Sequence, residues 1–204
     1  MLMKSSLPLL AILRGVTPNS VLQVADILVD AGFSRIEVPL NSPDALSSIR
    51  LLTKEYKDEF LIGAGTVTSV ELAKRVIDTG ANLIVSPNLN IDLLRLALKA
   101  GCHCYPGVLT PSECFAAIAA GASNLKLFPI STLGIEGFKA IKSVLPTEID
   151  CYPVGGIQPE NMHGYLAAGA AGFGLGSALY QANMELDTLS KNAQQFVKSF
   201  HEQI

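Results

Sequence analysis

Charged residues are scarce in this sequence. Asp, Glu, Lys and Arg make up 16% of its 204 residues, whereas ordinary globular domains carry about 25%. The net charge is −3, and the 15 basic residues are scattered instead of forming a run that would bind nucleic acid or an anionic membrane. We therefore expect neither as a partner. Because hydrophobic residues reach 49% and a domain of this size has a large surface to cover, we also expect apolar surface to be buried between subunits.

Long hydrophobic runs are missing as well. The apolar stretches are as short as β-strands, whereas a transmembrane helix needs about 20 apolar residues. The opening stretch MLMKSSLPLLAILRG has a short apolar run that Arg14 ends, and no small-residue cleavage site follows, so we expect no cleaved signal. The cysteines form no paired framework, which predicts reduced thiols in a cytoplasm; they are Cys102, Cys104, Cys114 and Cys151.

Histidine is also rare, with three residues in the chain. Cys102-His103-Cys104 is the one arrangement that suggests a metal site, but a strand would direct the two thiols to one face and the imidazole to the other. A structural zinc needs four ligands, and no second ligand cluster is present. We therefore predict no metal and no cofactor, and read this segment as a buried strand. His163 and His201 lie on predicted helices, and we expect them at the surface.

One pattern recurs along the chain: a segment of helical period ends in a small residue and glycine, and a short apolar strand follows. Glycine suits the left-handed residue that ends a helix. Proline near the first turn marks several helix starts, as in Thr17-Pro18-Asn19 and Gln158-Pro159-Glu160. Such strict alternation of strand and helix predicts a parallel sheet. The glycine joints are Gly32, Gly80, Gly101, Gly121 and Gly169.

Eight such units predict a single (β/α)8 TIM barrel over residues 1–204. The alternative is an open doubly wound sheet, but no G-x-G-x-x-G motif follows the first strand, and Gly172–Gly176 has the wrong spacing. Strands are predicted near 9–14, 35–40, 61–65, 83–87, 102–106, 124–128, 150–154 and 172–176. Helices are predicted near 19–31, 44–57, 69–79, 91–100, 111–120, 134–145, 159–168 and 187–202.

Barrel enzymes place their chemistry at the carboxyl ends of the strands, and the few charged residues there are Arg14, Glu37 and Lys126. If Ile36 and Val38 pack outward, Glu37 points into the barrel, and the same parity points Lys126 inward. The two form either a structural ion pair or a reactive pair, in which Lys126 condenses with a ketone and the carboxylate moves protons. The reactive pair requires a neutral amine, which burial favours and a nearby carboxylate opposes. Arg14 is either an ion-pair partner at the barrel end or the ligand of a carboxylate.

Glycines follow the last two strands. Val154-Gly155-Gly156-Ile157 ends the seventh, and Gly174-Leu175-Gly176-Ser177 ends the eighth. Glycines let backbone N–H groups approach an anion, and the loops after strands 7 and 8 are the usual phosphate site of this barrel. The alternative is that they only form tight turns. Their paired placement favours phosphate.

Together these residues resemble the family of 2-keto-3-deoxy-6-phosphogluconate and 2-keto-3-deoxy-6-phosphogalactonate aldolases, essentially from end to end. The resemblance implies a homotrimer of (β/α)8 barrels with class I aldolase chemistry, in which Lys126 forms the Schiff base and Glu37 is the acid and base. The segments that carry it are Pro8–Pro18 (PLLAILRGVTP), Ile36–Pro43 (IEVPLNSP), Ile62–Val67 (IGAGTV), Ser86-Pro87-Asn88, Tyr105-Pro106-Gly107, Leu125–Pro129 (LKLFP) and Val154-Gly155-Gly156.

The resemblance also implies the other site residues and the substrate. Gluconate-type members usually carry Arg and Thr where this chain has Asn41 and Val154, and an apolar residue at Arg14, so the chain resembles the galactonate branch. Its expected substrate is a phosphorylated 2-keto-3-deoxy sugar acid, cleaved to pyruvate and glyceraldehyde 3-phosphate. The alternatives are the gluconate epimer, a phosphate-binding isomerase or epimerase barrel, a barrel that binds sugar phosphates without turnover, and a metal-dependent aldolase. Thr66, Pro87 and Phe128 would line the ketone pocket, while Gly155, Gly156, Gly176 and Ser177 would hold phosphate.

Overall fold

The computed structural model describes residues 7–56 and 59–202, in which strands and helices alternate along the chain. The strands are β1 (Leu7–Ile12), β2 (Phe33–Pro39), β3 (Leu61–Gly65), β4 (Leu83–Val85), β5 (His103–Tyr105), β6 (Gly107–Val108), β7 (Asn124–Leu127), β8 (Asp150–Pro153) and β9 (Phe173–Leu175). The helices are α1 (Val21–Asp30), α2 (Ala45–Tyr56), α3 (Val70–Ile77), α4 (Ile91–Lys99), α5 (Pro111–Ala119), α6 (Gly134–Lys142), α7 (Met162–Ala167) and α8 (Leu186–His201).

The strands are parallel and form a curled layer of two hydrogen-bonded sheets, which the helices cover. Six strands pair in the order β5-β4-β3-β2-β1-β9, and three pair in the order β6-β7-β8. Pro106 alone separates β5 from β6, and its carbonyl accepts a hydrogen bond from the Lys126 backbone N–H at 3.0 Å. At the other margin, a parallel bridge joins Val154, just after β8, to Gly174 on β9. The α/β fold with parallel strands is therefore as predicted.

The predicted elements appear in the right order, with shifted ends. The first strand ends at Ile12, so Arg14 follows it instead of ending it, and the fifth strand is divided at Pro106 because proline has no N–H for the ladder. The predicted helix at 159–168 is a 3₁₀ turn followed by α7. Residue 57, the predicted end of the second helix, lies outside the described residues, as do 1–6, 58, 203 and 204. All five predicted glycine joints have positive φ.

Strand alternation sorts the side chains into two layers. Ile36, Val38, Leu125 and Leu127 belong to the main apolar core between strands and helices. A smaller apolar cluster lies on the other side of the strands; its members are Leu10, Leu83, Val85, Tyr105 and Tyr152. Glu37 on β2 and Lys126 on β7 alternate with these residues. They therefore face the interior of the curled sheet, as predicted.

The four cysteines are all buried and unpaired. Cys102 and Cys104 lie in the main core, while His103 between them is exposed. Across residues 7–56 and 59–202, no group of three or more His, Cys, Asp or Glu residues could hold a metal ion. In the same residues, no helix combines the length and the apolar character that crossing a membrane requires.

Candidate active site

A cavity of about 510 Å³ opens at the carboxyl ends of the strands. It brings together every residue that the sequence predicts for the site, although these come from segments distributed along the whole chain. Parallel strands make this possible because their carboxyl ends meet at one edge. The predicted residues that line it are Arg14, Glu37, Thr66, Pro87, Lys126, Phe128, Val154, Gly155, Gly156, Gly176 and Ser177.

Lys126 lies on β7 with 7% of its surface exposed. Its Nζ is 4.8 Å from the centre of the Phe128 ring, an apolar neighbour that adds to the desolvation. Burial lowers the pKa of Lys126; the Glu37 carboxylate opposes this, and the Arg14 guanidinium adds to it. A lowered pKa increases the fraction of neutral amine, which is the nucleophilic form.

Glu37 on β2 is 2% exposed, and its Oε2 has no hydrogen-bond partner. Gly65 makes room for this carboxylate, because a Cβ at position 65 would lie 1.5 Å from Oε2. Burial raises the pKa of Glu37 to about 7, against the opposing effects of Lys126 and Arg14. A carboxyl group with this pKa can both accept and donate a proton near neutral pH.

Glu37 and Lys126 face the same cavity without a direct ion pair. Among residues 7–56 and 59–202, the ion pair at contact distance is Lys198–Glu202, at the end of α8. The structural ion pair that strand alternation also allowed is therefore not formed. Two buried, oppositely charged groups that do not contact each other remain free to act on a molecule bound in the cavity.

Arg14 stands in the loop after β1 and is tied to the loop after β2. Its Nη1 donates a 2.6 Å hydrogen bond to Asn41 Oδ1. The neighbouring Gly15 N–H donates to Ser42 Oγ at 2.9 Å, which fixes the two loops to each other. Because a guanidinium has several donors in a planar fork, Asn41 orients Arg14 and leaves donors for a carboxylate.

The loop after β8 has the backbone geometry of an anion site. Gly155 and Gly156 have φ values of +100° and +79°, in the region that favours glycine. The side-chain amide of Asn161 donates to the Gly156 carbonyl at 2.9 Å and holds the loop in place. Opposite, Gly176 has nothing within 4 Å of where a Cβ would stand, so this wall of the cavity is open. Successive N–H groups in such a turn form a concave site for an anion.

Thr66, directly after β3, carries backbone strain. Its φ is +57°, which is unusual for a β-branched residue. A conformation of this kind costs about 1–3 kcal/mol and persists where the surrounding structure holds it, often at functional sites. Thr66 lies in the wall of the cavity.

Sequence reasoning missed three polar residues that line the same cavity, namely Gln158, Tyr180 and Gln181. Gln158 had a usable signal, because it precedes the proline that marks a helix start, and it caps that turn together with Asn161. Tyr180 and Gln181 lie in the irregular stretch between β9 and α8, which has no periodic pattern. This stretch packs closely on the loop after β1: a Cβ at Gly15 would lie 2.9 Å from that of Ala182.

A family profile, a relative by sequence and solved structures identify the same family. The family profile for KDPG and KHG aldolases matches residues 2–195. The chain is 43% identical to 2-dehydro-3-deoxy-6-phosphogalactonate aldolase of Escherichia coli (strain K12) over 201 residues, 98% of each chain. The solved structure of native KDPGal has a TM-score of 0.96 at 43% identity and covers 100% of this chain and 98% of its own.

A more distant solved structure contains a reaction intermediate. KDPG aldolase from Legionella pneumophila, with pyruvate captured as a covalent carbinolamine, has a TM-score of 0.80 at 30% identity, covering 96% of this chain and 93% of its own. The profile match, the identities and the superpositions agree over nearly the whole chain. The chain belongs to the KDPG and KHG aldolase family.

Proposed function

We propose that the protein is a class I aldolase that cleaves 2-dehydro-3-deoxy-6-phosphogalactonate to pyruvate and D-glyceraldehyde 3-phosphate. The observation that carries this proposal is the buried Lys126, whose lowered pKa favours the neutral amine, in one cavity with the unpaired carboxylate of Glu37. The name of the Escherichia coli relative supports the choice of substrate.

The first half of the reaction forms the imine. The Lys126 amine attacks the C2 carbonyl of the substrate and gives a carbinolamine. Glu37, protonated in part near neutral pH, donates a proton to the C2 hydroxyl, which leaves as water. The captured carbinolamine of the Legionella pneumophila relative supports this order of events.

The second half breaks the carbon–carbon bond. The Glu37 carboxylate takes the proton of the C4 hydroxyl, the C3–C4 bond breaks, and its electron pair moves toward the protonated imine to give an enamine. Glyceraldehyde 3-phosphate leaves, C3 is protonated, and water hydrolyses the imine to release pyruvate and Lys126. Dividing the reaction into covalent steps replaces one high barrier with several lower ones.

The remaining residues hold the ends of the substrate. Arg14 binds the C1 carboxylate, and the N–H groups of Gly155 and Gly156, with the Gly176-Ser177 wall, bind the phosphate. Thr66, Pro87 and Phe128 flank the C2 carbon.

Other functions explain less of the cavity. An isomerase or epimerase barrel, or a barrel that only binds sugar phosphates, would use the glycine loops but has no need of a desolvated lysine. The gluconate epimer remains the alternative substrate, and position 154 provides its test.

We further propose a closed barrel, a single domain over residues 1–204 and a homotrimer. The continuity of β5 and β6 through Pro106, and the bridge between Val154 and Gly174, support eight strands in a closed ring.

The exposed side chains of Phe115 and Val144 add to the apolar surface available for subunit contacts in the proposed trimer. The four unpaired cysteines support a reducing compartment such as the cytoplasm.

Borohydride added together with pyruvate should inactivate the protein irreversibly and leave a reduced adduct on Lys126, because borohydride reduces the imine. Peptide mass spectrometry locates the adduct. Lys126→Ala should abolish both activity and adduct, whereas Lys139→Ala, an exposed control on α6, should retain both. An adduct on a different lysine, or full activity in Lys126→Ala, contradicts the mechanism.

Glu37→Gln should slow turnover by about two decades or more, the usual contribution of general acid–base catalysis. Wild-type kcat/KM should fall as the pH drops below about 7, because the buried carboxyl becomes protonated. Near-normal turnover in the variant assigns the protons to another group; Glu136→Gln is the exposed control.

The pKa of Glu37 is raised on folding from 4.5 to about 7, so this group destabilises the fold increasingly as the pH rises through that window. The difference in unfolding free energy between Glu37→Gln and wild type should therefore grow with pH between 4.5 and about 7.

Arg14→Ala should lower kcat/KM by roughly 10- to 100-fold, because loss of a charged hydrogen-bond donor costs about 1.5–3 kcal/mol. Asn41→Ala should have a smaller effect and none in the Arg14→Ala background, since Asn41 acts by orienting Arg14. Steady-state kinetics of the double-mutant cycle measures this coupling. Additive effects would mean that the two residues act separately, and Arg50→Ala serves as the exposed control.

Val154→Thr should raise the rate with the gluconate epimer relative to the galactonate epimer. Val154 is 3% exposed and lies beside the proposed phosphate loop, so a C4 hydroxyl turned toward it would lose water without gaining a partner. A threonine hydroxyl supplies that partner in nearly the same shape. Coupled pyruvate assays with both epimers give the ratio. An equal response of both epimers shows that position 154 does not read C4.

Light scattering at micromolar concentration should give the mass of three chains. High apolar content and the exposed apolar side chains motivate this expectation. A monomeric mass at that concentration rules out a stable trimer.

A further inference from the structure

A second cavity, of about 300 Å³, lies at the opposite ends of the strands. Its lining includes Arg35 near the start of β2 and the first residues of β3, β5, β7 and β8, which are Leu61, His103, Asn124 and Asp150. Because the strands are parallel, this amino-end cavity is on the other side of the sheet interior from Lys126. It is therefore separate from the proposed aldolase site.

Arg35 is the cation of the amino-end cavity. It lies two residues before Glu37 on β2 and faces the interior of the sheet, where it contacts Tyr105 and Tyr152 of the smaller apolar cluster. Its Nη1 donates to the hydroxyls of Tyr152 at 2.6 Å and Tyr105 at 3.1 Å, and its guanidinium lies 5.7 Å from the centre of the Tyr152 ring. Both partners are phenol hydroxyls, and no carboxylate in the described ranges pairs with Arg35 at contact distance.

Two buried donor groups in this cavity have no partner. The Nε of Arg35 and the hydroxyl of the adjacent Ser34 are both buried and make no hydrogen bond. Ser34 is 9% exposed and lines the same cavity. Since unpaired buried donors are costly, a ligand that accepts hydrogen bonds from both is favoured. The free Nε–Nη2 edge of a guanidinium matches the two oxygens of a carboxylate.

The mouth of the amino-end cavity carries negative charge, opposite to that of Arg35 inside it. Glu59, Glu148 and Asp150 line it and are exposed to solvent. A simple anion such as phosphate would approach Arg35 past three carboxylates, which disfavours it. A molecule with a positive group behind its carboxylate would match both parts of the cavity.

We propose that the amino-end cavity binds a small zwitterion of amino-acid size, its carboxylate on Arg35 and Ser34 and its protonated amine toward Glu59, Glu148 and Asp150. Partial desolvation of the ring and then the nearby Arg35 lower the pKa of His103, which favours the neutral imidazole over a second cation in the cavity. The side-chain amide of Asn124 provides a further polar contact in the wall.

Three compounds with the same carbon chain separate the two charges. β-Alanine carries both groups, propionate the carboxylate alone and propylamine the amine alone. In ¹⁵N–¹H correlation spectra of the full chain, β-alanine should shift the amide signals of Ser34, Leu61 and Asn124 saturably. Propionate and propylamine should bind there at least about tenfold more weakly. The absence of a saturable shift with β-alanine at tens of millimolar, or equally tight binding of propionate or phosphate, overturns the proposal.

Two mild substitutions locate the binding. Ser34→Ala removes one donor, and Glu148→Gln removes one charge at the exposed mouth, so neither disturbs the packing of Arg35 between the tyrosines. Each should weaken β-alanine binding severalfold, and Glu148→Gln should leave propionate binding no weaker than in wild type. Glu136→Gln, an exposed control on α6, should bind β-alanine as wild type does. Wild-type affinity for β-alanine in both Ser34→Ala and Glu148→Gln overturns the proposal.

Discussion

The desolvation of two opposite charges inside the sheet is the constraint on which the site depends. Lys126 and Glu37 are removed from water but do not contact each other, so their attraction does not fully compensate the loss of hydration. The consequence is a lysine pKa below and a glutamate pKa above the usual values. Such a pair holds a proton that moves easily, which imine chemistry requires at several steps. The same arrangement lowers stability, and the large apolar core on the outer face of the strands has to offset that cost.

Close packing of backbone is what keeps these groups in position. The Glu37 carboxylate occupies the space beside Gly65 where any side chain would stand. Arg14 is held through Asn41, and the phosphate-type loop through Asn161. Glu37 is thus placed by a glycine of the neighbouring strand, and Arg14 by a residue of the loop after the neighbouring strand, whereas Asn161 belongs to the same connection as the glycines that it holds. The geometry of the site therefore depends on the curvature of the whole sheet.

Local rules of the sequence predicted the parts of this arrangement that depend on local geometry. The two-residue period of a strand identified the inward faces of β2 and β7, and the glycine joints located the ends of five helices. The prediction of an unbroken fifth strand was wrong because Pro106 has no N–H for the ladder, and the predicted end of β1 was too late because strand ends depend on the neighbouring strand. The distance between Glu37 and Lys126 depends on sheet curvature, which no local pattern encodes. Tyr180 and Gln181 were missed because an irregular segment has no period. Arg35 was missed because it lies near the start of β2, whereas barrel chemistry is expected at the carboxyl ends.

The burial of all four cysteines has a consequence for the behaviour of the protein toward oxidants and alkylating reagents. Burial raises the pKa of Cys104 and Cys114 to about 12 and that of Cys151 to about 11, with Cys102 shifted in the same direction. Thiolate is the reactive form, so the folded chain presents almost none of it. Each thiol becomes reactive only when the element that covers it opens. The order in which the thiols react therefore indicates which part of the sheet separates from its helices first. One part is reported by Cys102 and Cys104, and another by Cys114 and Cys151.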